Sequence, residues 1–242
     1  MKITELQKDL AATFRWAARL NMNEGVANHF SACVPGSSTD FYVNKAGIHF
    51  SRIKASDLIL VNKDNIEDLK TKPDIVDATA ISIHGTIHQK VPHAKCIFHV
   101  HSKYSTALSA LKDATLPPID QNTMRFFNRI SIYNEYGGMG FEDESIKMAS
   151  ALGNKQHMLL AKHGILTTGE TISEGFDALY YFEKSAETYL TALSTNKELN
   201  IVSDEIAEKT AQEWSDYPSD LARAHLDQIR LILDKEEPDY KD

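Results

Sequence analysis

Apolar residues recur along the chain at two spacings, which predict an alternation of helices and strands. Near the start, four apolar residues stand at helical spacing: Leu6, Leu10, Phe14 and Ala17. Residues 4–7, Thr-Glu-Leu-Gln, have the form of a capping box, so an amphipathic helix is predicted from there to about residues 21–25. A second capping box at 171–174, Thr-Ile-Ser-Glu, opens a long helix predicted to end at about Thr195, with an aromatic-rich face that packs into the core.

Short apolar runs bounded by turn residues predict the strands. These runs lie at 30–34, 41–44, 58–61, 96–100, 129–133 and on both sides of residues 163–164, and the first two form a hairpin. Further helices are predicted at 79–90, 102–112 and 142–152, and one or two more at 203–234 around Pro218. The polar segment 62–73 is expected to be a surface loop or hairpin, and the polar tail 235–242 is expected to fray.

Composition and charge narrow the class of protein. The chain of 242 residues is 42% hydrophobic and 25% charged, without repeats or an interior linker, so residues 1–242 are expected to form one domain. A net charge of −8 argues against nucleic-acid binding. No apolar run approaches a membrane span or the core of a signal peptide, and the two cysteines are expected to be buried free thiols. We therefore expect a cytoplasmic protein.

The stretch Cys96-Ile97-Phe98-His99-Val100-His101-Ser102 carries the first candidate chemistry. Side chains alternate between faces along a strand, so His99 and His101 point the same way and could bind one metal ion. They lie near the carboxyl end of a predicted strand, where sites in open α/β sheets occur. The alternative is a strand with two ordinary half-buried histidines.

A third histidine makes the metal interpretation more specific. His163 and Gly164 interrupt two apolar runs, and a glycine at a strand end allows a sharp turn that exposes the histidine to a cleft. Three histidines from two segments match a catalytic zinc site with an open position.

Over roughly residues 6–192, the chain resembles the class II aldolase/adducin family. The resemblance rests on Gly25-Val26-Ala27-Asn28-His29-Phe30-Ser31, Val43-Asn44-Lys45-Ala46-Gly47, Ile83-His84-Gly85-Thr86-Ile87-His88, His99-Val100-His101 and Lys162-His163-Gly164. It implies an α/β fold, a three-layer α/β/α sandwich around a central, largely antiparallel mixed sheet. It also implies a divalent metal, usually zinc, held by His99, His101 and His163, a small-molecule substrate and a homotetramer.

The sequence departs from the sugar-phosphate aldolases of that family. Their acid/base glutamate stands nineteen positions before the first histidine of the pair, where this chain has Ala80. Their phosphate-binding serine pair falls on Ala78 and Thr79, while Asn28 matches the glycine-rich turn. The pattern is therefore closer to the adducin-like branch, which lacks the glutamate.

The resemblance gives four candidate substrate-binding residues: Asn28, Asn44, Gly47 and Thr79. His84, one helical turn after Ala80, is the candidate catalytic residue, because a histidine's pKa lies near neutrality. Its polar edge is expected to lean into a gap left by Ala80 beside the metal; the alternative is a structural histidine packed against the sheet.

Two functions follow as hypotheses. The first is a metal-dependent lyase, an atypical aldolase or a decarboxylase, that acts on a small carbonyl or carboxylate compound through a metal-stabilised enolate. Decarboxylation depends less on a general base than aldol cleavage does, so the first hypothesis slightly favours decarboxylation. The second is a non-catalytic adducin-like binding or assembly module that retains the metal site.

Overall fold

Seven strands form one mixed sheet in the computed structural model, which describes residues 3–141, 143–217 and 220–242. The strands are β1 (His29–Cys33), β2 (Phe41–Asn44), β3 (Leu58–Val61), β4 (Cys96–Val100), β5 (Ile130–Tyr133), β6 (His157–Leu160) and β7 (Gly164–Gly169). Their order across the sheet is β3-β2-β1-β4-β7-β6-β5. The β5–β6 pair is parallel and the other pairs are antiparallel, so the predicted largely antiparallel mixed sheet is confirmed.

Helices cover both faces of this sheet, which gives the expected three layers. Their bounds are α1 (Glu5–Arg19), α2 (Ile66–Lys70), α3 (Ala78–Lys90), α4 (Lys103–Ser109), α5 (Gln121–Arg125), α6 (Asp143–Leu152), α7 (Ile172–Ser194), α8 (Asp204–Ser215) and α9 (Leu221–Glu236). On one face, α1, α7 and α9 enclose a cluster that includes Phe14, Phe98, Phe176 and Phe182. On the other, α2, α3 and α6 enclose two smaller clusters.

The pairing of β1 with β4 positions the candidate site. These two central strands run antiparallel with His29 opposite His99 and Phe30 opposite Phe98. Alternation along the strands sends the two phenylalanines into the core under α7 and the two histidines to the α3 side. Ile83 and Ile87 of α3, one helical turn apart, pack against the sheet in a cluster with Ile97.

Most predicted elements are present with bounds shifted by one or a few residues. Both capping boxes are formed, and Phe176, Leu179 and Phe182 are buried in the core. The helix predicted at 102–112 is shorter, Lys103–Ser109. Two predicted helix boundaries, the start at Glu142 and the break at Pro218, lie outside the described residues.

Two expectations were wrong. Segment 62–73 contains helix α2, because Leu69 supplies an apolar anchor that packs under α3. The polar tail does not fray: Pro238–Lys241 forms a 3₁₀ turn, and Tyr240 is fully buried. Acidic residues of this tail pair with Arg15, whose guanidinium is itself almost buried, so the tail compensates a buried charge.

In the described part of the chain, we find no helix that combines the length and the apolar character needed to cross a lipid bilayer.

Candidate metal centre and its surroundings

Three histidines from two segments meet at one end of the sheet. His99 is in β4, His101 follows that strand, and His163 lies in the connection between β6 and β7. Their ring centroids are 4.6–4.9 Å apart. One nitrogen from each ring lies within 4.8 Å of the other two. The structure thus brings together the three residues that the sequence selected, and their role as ligands stays a prediction.

Hydrogen bonds determine which nitrogen of His99 and of His101 faces the centre. His99 Nδ1 lies 3.0 Å from the carbonyl oxygen of Ile165, and His101 Nδ1 lies 2.6 Å from a carboxylate oxygen of Glu24. Both oxygens accept hydrogen bonds, so each Nδ1 carries a proton and each ring turns Nε2 towards the centre. Partners of this kind orient the histidine ligands of metal sites.

The two Nε2 atoms, of His99 and His101, face each other at 3.1 Å. Two unprotonated nitrogens at this distance repel, so a proton or a cation has to lie between them. Two nitrogens bound to one tetrahedral zinc ion at about 2.0–2.1 Å would be roughly 3.3 Å apart, close to the observed separation. With His163 as the third donor, the residues fit a divalent metal ion.

Gly164 allows the connection that carries His163 to approach β4. A Cβ atom on Gly164 would lie 2.4 Å from the carbonyl oxygen of Val100 and 3.1 Å from the ring of His101. The left-handed residue of this turn is Lys162, with φ at 61°. Glycine is therefore needed at position 164 because the backbone passes close to β4. The expectation that it is needed for a sharp turn was wrong.

Burial keeps His99 and His163 in the neutral form that binds metals. It lowers the pKa of His99 well below its ordinary value, and neighbouring histidines lower it further. Burial and the neighbouring His101 lower the pKa of His163 to about 4. A neutral imidazole has the free lone pair that a metal ion needs.

His84 does not occupy the place expected for it. Its side chain is fully buried, and its two nitrogens lie 2.7 Å from His29 Nδ1 and 2.5 Å from Ser31 Oγ. Ala80 packs in an apolar cluster with Phe41, so it leaves no gap beside the histidines. The expectation that His84 meets water or substrate was wrong, because α3 turns this side chain onto β1.

His29 stands where His84 was expected. It lies opposite His99 in the sheet, with ring centroids 5.1 Å apart, and is buried. Burial lowers its pKa to about 4, while the charge of Asp77 opposes the shift. His29 was not among the predicted site residues; the signal available in the sequence was its alternation with Ser31 along a strand, which places both on one face.

Two of the predicted substrate-binding residues are asparagines: Asn28 immediately precedes β1, and Asn44 is the last residue of β2. Asn28 has φ at 76°, and its Oδ1 accepts a hydrogen bond from the backbone of Glu24. Its Nδ2 is buried, with no acceptor in the described part of the chain. Asn44 instead uses its amide on the backbone of Phe30 and Asn28, at 3.3 Å each. Asn28 thus has a donor free for a ligand, whereas Asn44 holds β1 in place.

Thr79 and Gly47 differ in their relation to the centre. Thr79 Oγ1 lies 3.3 Å from His29 Nε2 and donates to Asp77 at 2.6 Å, which brings it to the edge of the histidine cluster. Gly47 lies in an exposed turn, and no hydrogen bond of the described residues connects it to the three histidines.

The chain is similar to one known protein family and to several known proteins. The profile of the class II aldolase and adducin N-terminal domain matches residues 8–190. The meiotically up-regulated gene 14 protein of Schizosaccharomyces pombe is 31% identical over 191 residues, covering 78% of this chain and 73% of that protein. Decarboxylase NovR of Streptomyces niveus is 27% identical over 215 residues, covering 88% and 73%. Alpha-adducin of Rattus norvegicus is 27% identical over 192 residues, covering 78% and 26%.

Two solved structures resemble almost the whole chain. An aldolase II superfamily protein from Pseudomonas syringae is 28% identical with a TM-score of 0.86, covering 98% of this chain and 95% of that one. The L-fuculose 1-phosphate aldolase from Glaciozyma antarctica is 27% identical with a TM-score of 0.83, covering 98% and 92%. These similarities support a lyase-type function. With the profile match, they show that this chain belongs to the class II aldolase/adducin family.

Proposed function

We propose that the protein is a metal-dependent carbon–carbon lyase that acts on a small carbonyl or carboxylate compound. His99, His101 and His163 hold the ion, which we take to be zinc or another divalent metal. A bound ion of this kind supplies Lewis acidity to a carbonyl oxygen. The observation that carries the proposal is the 3.1 Å approach of two Nε2 atoms whose Nδ1 protons are already committed to other partners.

The named relatives support a lyase and leave the reaction open. One is called a decarboxylase and one a fuculose-phosphate aldolase. Loss of carbon dioxide from a β-keto acid needs no group to take a hydroxyl proton, whereas aldol cleavage does. Position 80 is an alanine in an apolar cluster, so the proton acceptor is not supplied from there. We therefore favour decarboxylation or an atypical aldol reaction.

Substrate binding is assigned to the polar groups around the histidines. The free Nδ2 of Asn28 suits a carbonyl or carboxylate oxygen, because an unpaired buried donor is unfavourable until a ligand satisfies it. Thr79 lies at the rim beside His29. Asn44 acts on the substrate only by fixing the backbone of Asn28, and Gly47 remains a candidate from resemblance alone.

The experiment is a substrate screen on zinc-loaded protein. β-Keto acids and hydroxy-keto acids are supplied, and carbon dioxide and pyruvate are measured, with the His99→Ala/His163→Ala variant as control. We expect turnover by the wild type alone. Sugar phosphates should be poor substrates, because a positioned acid/base is worth on the order of 10²–10⁴-fold in rate. Robust cleavage of fuculose or ribulose phosphates would contradict that expectation.

The second candidate function is a non-catalytic adducin-like module, favoured by Ala80 and by the similarity to alpha-adducin. A structural zinc site is usually closed by four protein ligands, and the cluster in the described residues offers three. Stoichiometric metal without turnover of any compound in the screen would favour this candidate over the lyase.

We further propose a cytoplasmic homotetramer that binds no nucleic acid. The aromatic face of α7 offers no support for assembly, because its phenylalanines are in the core. Support comes from three exposed apolar side chains between β5 and α6, Tyr136, Met139 and Phe141, of which Tyr136 lies with its ring 6.5 Å from that of His163. Light scattering should give about four times 27.1 kDa, and a mass near 27.1 kDa would contradict the assembly.

A further inference from the structure

A continuous chain of hydrogen bonds runs through the core beside the metal centre. It begins at the carbonyl oxygen of Ala94, 2.6 Å from His88 Nδ1, and continues from His88 Nε2 to Ser31 Oγ at 2.8 Å. Ser31 Oγ lies 2.5 Å from His84 Nδ1, and His84 Nε2 lies 2.7 Å from His29 Nδ1. These five residues come from α3, β1 and the loop before β4, and all are buried.

The two inner histidines of this chain are neutral. The hydrogen-bond partners of His84 and His88 in the described structure are a hydroxyl, a carbonyl and another imidazole. A buried imidazolium without a carboxylate partner is strongly unfavourable. Each of these rings therefore carries one hydrogen and offers one lone pair.

The Ala94 carbonyl gives the chain a direction. A carbonyl only accepts, so His88 carries its hydrogen on Nδ1, and its Nε2 accepts from the Ser31 hydroxyl. The Ser31 hydroxyl has only one hydrogen, which it donates to His88 Nε2. Its oxygen therefore accepts a hydrogen bond from His84 Nδ1. His84 Nε2 then has only a lone pair for its neighbour.

The same logic reaches His29 at the end of the chain. The lone pair of His84 Nε2 requires a hydrogen on His29 Nδ1, so His29 Nε2 is left unprotonated. The Thr79 hydroxyl lies 3.3 Å from this nitrogen, yet its single hydrogen points to the Asp77 carboxylate at 2.6 Å. His29 Nε2 therefore keeps an unused acceptor beside His99.

We propose that this chain holds His29 in one tautomer, so that its Nε2 accepts a hydrogen bond from a hydroxyl group of the substrate. Ser31, His84 and His88 act as positioning residues, and His29 is the group that meets the ligand. The tautomer follows from the protein alone, whereas the substrate contact rests on the lyase function proposed above.

The tautomer is tested by nitrogen NMR of protein labelled with ¹⁵N-histidine. The two nitrogens of a neutral imidazole resonate far apart according to which one is protonated, and a His29→Gln variant assigns the His29 signals. Wild-type protein at neutral pH should show His29 protonated at Nδ1 and unprotonated at Nε2. A proton on His29 Nε2, in the neutral or the charged ring, would overturn the proposal without any variant.

Ser31→Ala tests whether the chain sets the tautomer. Without the hydroxyl, His84 loses the acceptor that selects its Nδ1 proton, so a second His29 species protonated at Nε2 should appear. Ser185→Ala is the matched control, because Ser185 is equally buried and donates to a backbone carbonyl within α7. An unchanged single tautomer in folded Ser31→Ala would show that the chain does not set it.

The acceptor role is tested with lactate and propionate, two carboxylates that differ by a hydroxyl group, added to zinc-loaded protein. Lactate should shift the His29 Nε2 resonance and propionate should leave it in place. No shift with lactate, or equal shifts with both, would overturn the acceptor role. Because no turnover is needed, this result is independent of the substrate screen: a wrong tautomer leaves the lyase proposal standing, and an inactive protein leaves the tautomer standing.

Discussion

At the scale of single residues, the candidate centre depends on contacts between groups distant in sequence. Glu24 reaches His101 across 77 positions, and Ile165 reaches His99 across 66. The His-x-His spacing and the glycine next to His163 could indicate the three histidines, because those signals are local. Nothing local indicates that Glu24 contacts His101 or that His29 lies beside His99, because both contacts join segments distant in sequence.

Replacing Glu24 with alanine should weaken metal binding by roughly 10–100-fold, because a carboxylate partner orients a ligand histidine and raises its basicity. Competition with a coloured chelator measures the affinity. Glu67→Ala is the control, since Glu67 is exposed on α2 and pairs with Lys70. Equal affinity of Glu24→Ala and wild type would show that the contact does not support the centre.

Buried histidines away from the centre should make the protein sensitive to acid. Burial lowers the pKa of His157 to about 3, from an ordinary value of 6.5. Between these pH values the His157 imidazole is protonated in the unfolded chain and neutral in the folded chain. The free energy of unfolding therefore falls as the pH falls from about 6.5 towards 3. His157→Gln should reduce the pH dependence of the free energy of unfolding by about 1.4 kcal/mol per pH unit in this range. Urea unfolding at several pH values measures it.

The exposed His49 provides the comparison for that experiment. His49→Gln should retain the wild-type pH dependence, because it removes a histidine and leaves the buried His157 in place. If His157→Gln has the same slope as His49→Gln, the buried imidazole is not the source of the acid sensitivity.

At the scale of elements, sequence signals were reliable where the stabilising contacts are local. The capping boxes at Thr4 and Thr171 and the apolar stripe of α1 predicted their helices, because caps and stripes are formed within a few residues. Helix α5 (Gln121–Arg125) was missed, although Asp120 caps it, because it is only five residues long. The tail was mistaken for a frayed end because its partners are on α1, more than 200 positions away.

Tyr240→Ala tests the contribution of that tail. Tyr240 is fully buried and its hydroxyl donates to Asp234 at 2.9 Å. Truncation of a buried aromatic side chain typically lowers the free energy of unfolding by about 3–5 kcal/mol. Tyr217→Ala, at a side chain that is 52% exposed, should change it by far less. Equal effects of the two variants in urea unfolding would contradict the packed tail.

At the scale of the whole molecule, the sheet order makes the site. The central strands β1, β4 and β7 are neighbours, although about 60 residues separate each from the next along the chain. Their pairing brings His29, the pair His99 and His101, and the connection that carries His163 to one end of the sheet. Family resemblance could predict this architecture, whereas spacing alone could not, because strand order is set by long-range pairing.

Metal content tests the central claim most directly. Purified protein is loaded with zinc, freed of excess ion by dialysis, and analysed for elements beside His99→Ala/His163→Ala and His49→Ala treated alike. The wild type and His49→Ala should retain about one ion per chain, and the double variant should retain almost none, because two of three ligands are gone. A wild type that retains no divalent ion, or a double variant with unchanged content, would contradict the assignment of these histidines.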